Sequence, residues 1–202
     1  MAVSINGNTG VVTGLAVGGL PDGTVDADTL ASNAVTAGKL AIGVRGKILQ
    51  VVQTVKSDTA TISSANTNNF VDLTGMSVAI TPSATSSKIL IIINLSVSME
   101  AGTLHVRLVR GSTNIFLGDS GGGNRLSSSI LHRSEYNNHY IEPISRTFLD
   151  SPNTTSATTY KLQGTLGSTY SSTICINRTP HDDNYDYGGR VPSTMTAMEI
   201  AA

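Results

Sequence analysis

The groups able to do chemistry are few and scattered. The four histidines, His105, His132, His139 and His181, fall in no HExxH pair or similar metal-binding spacing. The single cysteine, Cys175, sits in the apolar run Ile174-Cys175-Ile176, where burial makes a thiol an inert packing group. One cysteine also leaves no intrachain disulfide and no cysteine-based zinc site. There is no GxSxG elbow. Gly121-Gly122-Gly123-Asn124-Arg125 lacks the Lys-Ser/Thr that completes a phosphate loop, and reads as a flexible hairpin. No two carboxylates stand out as an acid/base couple, which argues against a glycan-cleaving spike. The chain is expected to be no enzyme, with no catalytic residue, cofactor or bound metal.

Polar and aromatic groups concentrate instead in two loops. Residues 133–140 and 181–187 together carry four of the six tyrosines. Tyrosine offers contact area at low entropic cost and can stack on sugars, so Tyr136, His139, Tyr140, His181, Asp182, Asp183, Tyr185 and Tyr187 are candidates for receptor binding. Two other readings stand beside this one. Asp182, Asp183 and Asp186 can hold a hard cation, although the calcium-loop spacing is missing, or the loops are simply solvated.

The elements that must hold these loops read as strands. Ser and Thr make up roughly a quarter of the chain, and β-branched, hydroxyl-rich sequence favours pleated structure over helix. Expected strands cover 48–56, 70–74, 77–81, 88–98, 103–110, 113–117, 141–149, 158–165, 172–177 and 194–200. Gly, Pro, Ser and Asn clusters separate them, as in an all-β sandwich. Most alternate apolar and polar residues, as Leu104, Val106 and Leu108 do against His105 and Arg107. Segment 88–98 departs from this: Ile89, Ile91, Ile93, Leu95 and Val97 form one apolar face, and Leu90 and Ile92 make the other face apolar too. Covering each of those two is worth about 1.5–3 kcal/mol, so a neighbouring subunit is the expected cover, with another part of the same chain the alternative.

Residues 1–46 have a different character, glycine-rich and without any aromatic residue. Leu15, Leu20, Val25, Leu30, Val35 and Leu40 recur every five residues, a period that fits neither a helix face nor a strand. The row reads either as a linker or as a stalk whose chains bury it jointly. Asp28 is placed to cap a short helix through Val35 that stops at Gly38. The expected domains are therefore 1–46, a stalk or attachment segment, and 47–202, a β-sandwich head.

Several functions are excluded by bulk properties. A net charge of -1 with 13% charged residues lacks the basic footprint of a nucleic-acid binder. The longest apolar run, 89–93, is far short of the roughly 20 residues that span a bilayer, so no membrane insertion is expected. The start of the chain lacks a basic and apolar signal, so synthesis in a cytoplasm without classical export is expected. The matches to the N-glycosylation pattern at Asn94, Asn153 and Asn177 carry little weight without such a signal.

The phrase Gly-Leu-Pro-Asp-Gly-Thr-Val-Asp-Ala-Asp-Thr-Leu-Ala-Ser-Asn-Ala-Val-Thr-Ala-Gly-Lys-Leu at 19–40 resembles segments of tailed-bacteriophage fibre proteins. The head resembles a family of phage virion proteins through Ile-Leu-Gln-Val-Val-Gln at 48–53, Ser-Lys-Ile-Leu-Ile at 87–91, Leu-Val-Arg-Gly at 108–111, Phe-Leu-Asp-Ser-Pro at 148–152, Tyr-Lys-Leu at 160–162 and Met-Thr-Ala-Met-Glu-Ile at 195–200. Such heads are similar to the trimeric jelly roll of complement globular heads and tumour necrosis factors. The resemblance implies an all-β antiparallel jelly-roll head, a homotrimer with Leu90 and Ile92 near its axis, and a place in the virion alongside other virion proteins bound through residues 1–46. Two roles follow: a tail fibre or appendage whose head loops bind a host-surface glycan or protein, or a capsid decoration (cement) protein anchored by its N-terminal arm.

Overall fold

The computed structural model describes residues 4–6, 8, 11–13, 30–32, 34–36, 39, 47–63, 69–123, 125–134, 140–167 and 173–202. The chain divides into two compact units, Met1–Gly46 and Lys47–Ala202. In the first, β1 (Ser4–Asn6) and β2 (Val11–Thr13) pair antiparallel, with Ser4 opposite Thr13. The helix expected near Val35 is not formed by the described residues: Ala34 N–H donates to the Ala31 carbonyl at 2.9 Å in a turn. Of the five-residue row, Leu30 and Val35 are exposed, and Leu15, Leu20, Val25 and Leu40 lie outside the described residues.

The second unit is built from β3 (Ile48–Lys56), β4 (Ala60–Ser63), β5 (Val71–Ile80), β6 (Lys88–Ser98), β7 (Gly102–Arg110), β8 (Thr113–Ile115), β9 (Ile130–Ser134), β10 (Glu142–Asp150), β11 (Thr158–Gly167), β12 (Thr173–Ile176) and β13 (Ser193–Ile200). All pairings are antiparallel, and no α-helix occurs among the described residues. β4 and β9 were not expected from sequence. The two strands expected at 70–74 and 77–81 are one, β5, bulged where its partner register jumps from Lys161 to Gln163. Gly75 makes the bulge at φ 81°, and a Cβ there would meet the Lys56 side chain at 2.9 Å. The strand at 113 ends early, at Ile115, because Phe116 turns out of it at φ 54° to stack on Phe148 of β10.

One sheet has six strands and the other five. β10 occupies one edge of β6, and β13 and β12 share its other edge in line, with β3 and β4 in line beyond them. β8 and β9 likewise share one edge of β7. Counting each collinear pair as one passage leaves four passages per sheet. The first passage then pairs with the eighth, the second with the seventh, the third with the sixth and the fourth with the fifth. That is a long antiparallel ribbon rolled upon itself, a jelly roll.

The inner faces follow the alternation read from sequence. Ile89, Ile91, Ile93, Leu95 and Val97 of β6 meet Leu104, Val106 and Leu108 of β7 and Tyr160 and Leu162 of β11, all buried. At one end, two carboxylates flank Ile89 in the inner cross-strand row Gln50, Glu199, Ile89, Asp150. Asp150, 6% exposed, crosses between the sheets: Arg110 Nη1 donates to both its oxygens at 2.9 Å, and the Tyr160 hydroxyl donates at 2.7 Å. Burial, reinforced by that donation to a carboxylate, pushes the Tyr160 phenol far above its usual range and keeps the donor proton in place. Burial would likewise raise Glu199. Donation from Ser83, Gln50 and Ser87 outweighs it and lowers the group to about 2.

Asp150→Ala removes the acceptor of a buried hydroxyl and of an Arg110 side chain only 29% exposed. A loss of about 2–4 kcal/mol in urea unfolding is expected, at or somewhat below the cost of breaking a fully buried pair because Arg110 keeps some access to water. Tyr160→Phe, which removes one hydrogen bond, should cost about 1–2 kcal/mol. Because the Glu199 carboxylate is depressed in the folded state, its contribution is complete above about pH 4.5 and is lost as pH falls towards about 2. The thermal midpoint of the wild-type protein should drop across that window, and Glu199→Gln should drop less.

Candidate recognition surface

β3 starts and β13 ends at the carboxylate end, where Ala201 N–H donates to the Lys47 carbonyl at 2.8 Å. Tyr140 and His181 belong to the opposite end, around the turn that joins β6 to β7 at 99–101. On one side of this turn, Ser98, Met99, His132, Arg133, Ser134, Tyr140 and Glu142 line a pocket of about 200 Å³. Tyr140 is 62% exposed there. Tyr136 and His139 lie outside the described residues. On the other side, His181 Nε2 stands 3.9 Å from Glu100 Oε1. Tyr140 and His181, distant in sequence, therefore flank one turn.

The segment 177–192 is an excursion between β12 and β13, both of which lie along β6. Its base is a buried polar network. Asn177, fully buried at φ 63°, donates from Nδ2 to the carbonyls of Lys56 and Asp58 at 2.7 and 2.9 Å. The Ser193 hydroxyl donates to Asn177 Oδ1 at 2.6 Å and accepts from Ser96 N–H at 2.9 Å. Arg178 donates to the carbonyls of Thr179 and Pro180 and to the Thr61 hydroxyl, and its own carbonyl accepts from Ser98. Higher up, Arg190 pairs with Asp182 at 2.7 Å. Gly188 N–H donates to the Tyr185 carbonyl, and a Cβ on Gly188 would clash with the Asp183 carbonyl oxygen. On this frame Tyr185 and Tyr187 stack with ring centroids 5.2 Å apart, 66% and 46% exposed.

Asp182 faces Arg190 rather than converging with Asp183 and Asp186, and no metal-holding cluster of His, Cys, Asp or Glu occurs among the described residues. Asn177 is a buried strut, so its match to the glycosylation pattern has no structural counterpart. Cys175 is buried.

The outer faces of the two sheets differ. On the five-stranded sheet, Lys161 and Gln163 donate to Asp72 at 2.9 and 2.7 Å, beside Arg107 and His105. On the six-stranded sheet, Val51, Met198, Leu90 and Leu149 form one apolar row across four strands. Val51 and Leu149 are 56% and 50% exposed, and Leu90, Ile92 and Met198 half-buried. The next row holds Gln53, Thr196, Ile92 and Thr147, and the next Val55, Thr194, Asn94 and Ser145. Gln53 donates to Thr196 Oγ1 at 2.8 Å and Asn94 to Thr194 Oγ1 at 3.3 Å. Sequence reasoning found Leu90 and Ile92 but missed Val51, Val55, Leu149 and Met198. The available signal was the presence of apolar residues on both phases of 48–52.

No protein-family model matches the chain, and no curated protein matches it. Among solved structures it aligns with one of infectious bursal disease virus Gt strain, 15% identical over 76% of this chain and 38% of that one, at TM-score 0.38. It also aligns with the VP2 subviral particle of infectious bursal disease virus, 16% identical over 81% of this chain and 42% of that one, at TM-score 0.38. The jelly roll stands on the strand order alone.

Asn177→Ala should cost about 2–3 kcal/mol, since it strands buried carbonyls and a hydroxyl and puts alanine where asparagine tolerates positive φ better. The same variant should gain tryptic cleavage at Arg178 and Arg190 under native conditions, where the parent chain resists.

Proposed function

We propose that the protein is a virion structural protein of a tailed bacteriophage: a homotrimeric tail-fibre or appendage protein whose head loops bind the host cell surface. The observation that carries this reading is the polarity of the head. The chain enters at Lys47 at the carboxylate end, and Tyr140 and His181 sit at the other, His181 opening the segment that carries Tyr185 and Tyr187. In this reading residues 1–46 attach the head to other virion proteins, and the loops face outward. The six-stranded sheet's outer face, with Leu90 and Ile92 at its middle, is the contact between subunits. Gln53 with Thr196 and Asn94 with Thr194 are already hydrogen-bonded in pairs, which lowers the desolvation cost of covering this face. Three heads on one fibre multiply weak individual contacts through avidity.

The test uses the full chain. Sedimentation should give three copies, and Ile92→Asp, which leaves the inner core untouched, should give single copies with unchanged circular dichroism. Wild-type protein should adsorb to cells of the phage's host and block infection, and the single-copy variant should do so at least about tenfold more weakly. An unaffected trimer would remove the interface, and a wild-type protein that neither adsorbs nor blocks infection would remove the receptor role.

A further inference from the structure

Among the described residues, the Tyr185–Tyr187 pair is the most exposed aromatic surface of the head that is also held in place. Here the segment is fixed at its base by Asn177, across its waist by Asp182 and Arg190, and at its tip by the close passage of Gly188 under the Asp183 carbonyl. The rings are inclined by 21° and 5.2 Å apart, so each braces the other. A ligand meeting such a platform finds the ordering cost already met.

We infer that the Tyr185–Tyr187 platform binds neutral hexose units of a surface polysaccharide, an assignment that rests on the host-binding role proposed above. The C–H face of a pyranose fits against a tyrosine ring, and its hydroxyls need acceptors at the ring's rim. Asp186, between the two tyrosines, and Asp183, two residues before Tyr185, are both exposed and supply carboxylates. Charge selects among sugars. Arg190 is matched by Asp182, and the Arg178 guanidinium keeps its charge but is tied down at the base of the segment by the neutral groups of Thr179, Pro180 and Thr61. Asp183 and Asp186 then leave the tip negative, which repels uronic and sialic acids and accepts neutral hexoses.

The experiment measures binding of the full chain to immobilised dextran, mannan and galactan, and to alginate and polygalacturonate as acidic counterparts, with adsorption to host cells followed in parallel. Binding to at least one neutral polymer and to neither acidic one is expected. Tyr185→Ala and Tyr187→Ala should each weaken it about tenfold, and Tyr185→Phe, which keeps the ring, should stay within about threefold of wild type. Asp183→Asn with Asp186→Asn should relax the exclusion of the acidic polymers. Adsorption to cells without binding to any neutral polymer, or neutral-polymer binding indifferent to both alanine substitutions, would overturn the sugar assignment and leave the host-binding role standing. Neutral-polymer binding that depends on both tyrosines, in a protein that does not adsorb to host cells, would uphold the sugar site and overturn the host-binding role.

Discussion

The two sheets are tied together by a carboxylate that cannot be buried alone. Asp150 projects from β10 into the sandwich, and an ionised carboxylate there requires charged and hydrogen-bonding partners. Arg110 and Tyr160 supply them from β7 and β11 of the opposite sheet, which fixes the relative position of three strands at once. Glu199, two strands away in the same row, is held by Gln50 and by Ser83 from the turn before β6. Hydrophobic burial drives the sheets together without specifying their alignment, and these directional bonds supply the alignment.

With one end bound in this way, the other is free to carry loops. The division of labour extends to the outer faces. The five-stranded sheet shows water a network of Asp72, Lys161 and Gln163. The six-stranded sheet shows an apolar row beside rows in which Gln53 pairs with Thr196 and Asn94 with Thr194. In the proposed fibre, the second face meets neighbouring subunits and the first faces solvent.

Much of the sandwich was legible because strand alternation is a local property. Segments 48–56 and 88–98 coincide with β3 and β6, and the inward set Leu104, Val106 and Leu108 is buried. β4 and β9 were missed because Ala-Thr-Ile-Ser and Ile-Leu-His-Arg-Ser are short and weakly patterned, and become strands by pairing with β12 and β7. Nothing local marks Gly75 as the centre of a bulge rather than a break between strands. The motifs that prompted the resemblance contain Arg110, Asp150 and Tyr160, yet their meeting depends on three separate strands. The 181–187 loop was readable as tyrosine-rich, but its rigidity comes from Asn177 and Arg190 at its base and waist, which composition does not reveal.

The placement of the 177–192 excursion has an evolutionary consequence. β12 and β13, on either side of it, are both registered against β6, so the sheet does not depend on what lies between them. Lengthening a loop whose ends are already held adds only a slowly growing entropy, about 0.6 kcal/mol per doubling. Residues between the anchor at Asn177 and the anchor at Ser193 can therefore be exchanged, inserted or deleted while the jelly roll remains the same. A lineage under pressure from changing surfaces could diversify its specificity here by small genetic steps without searching again for a foldable protein.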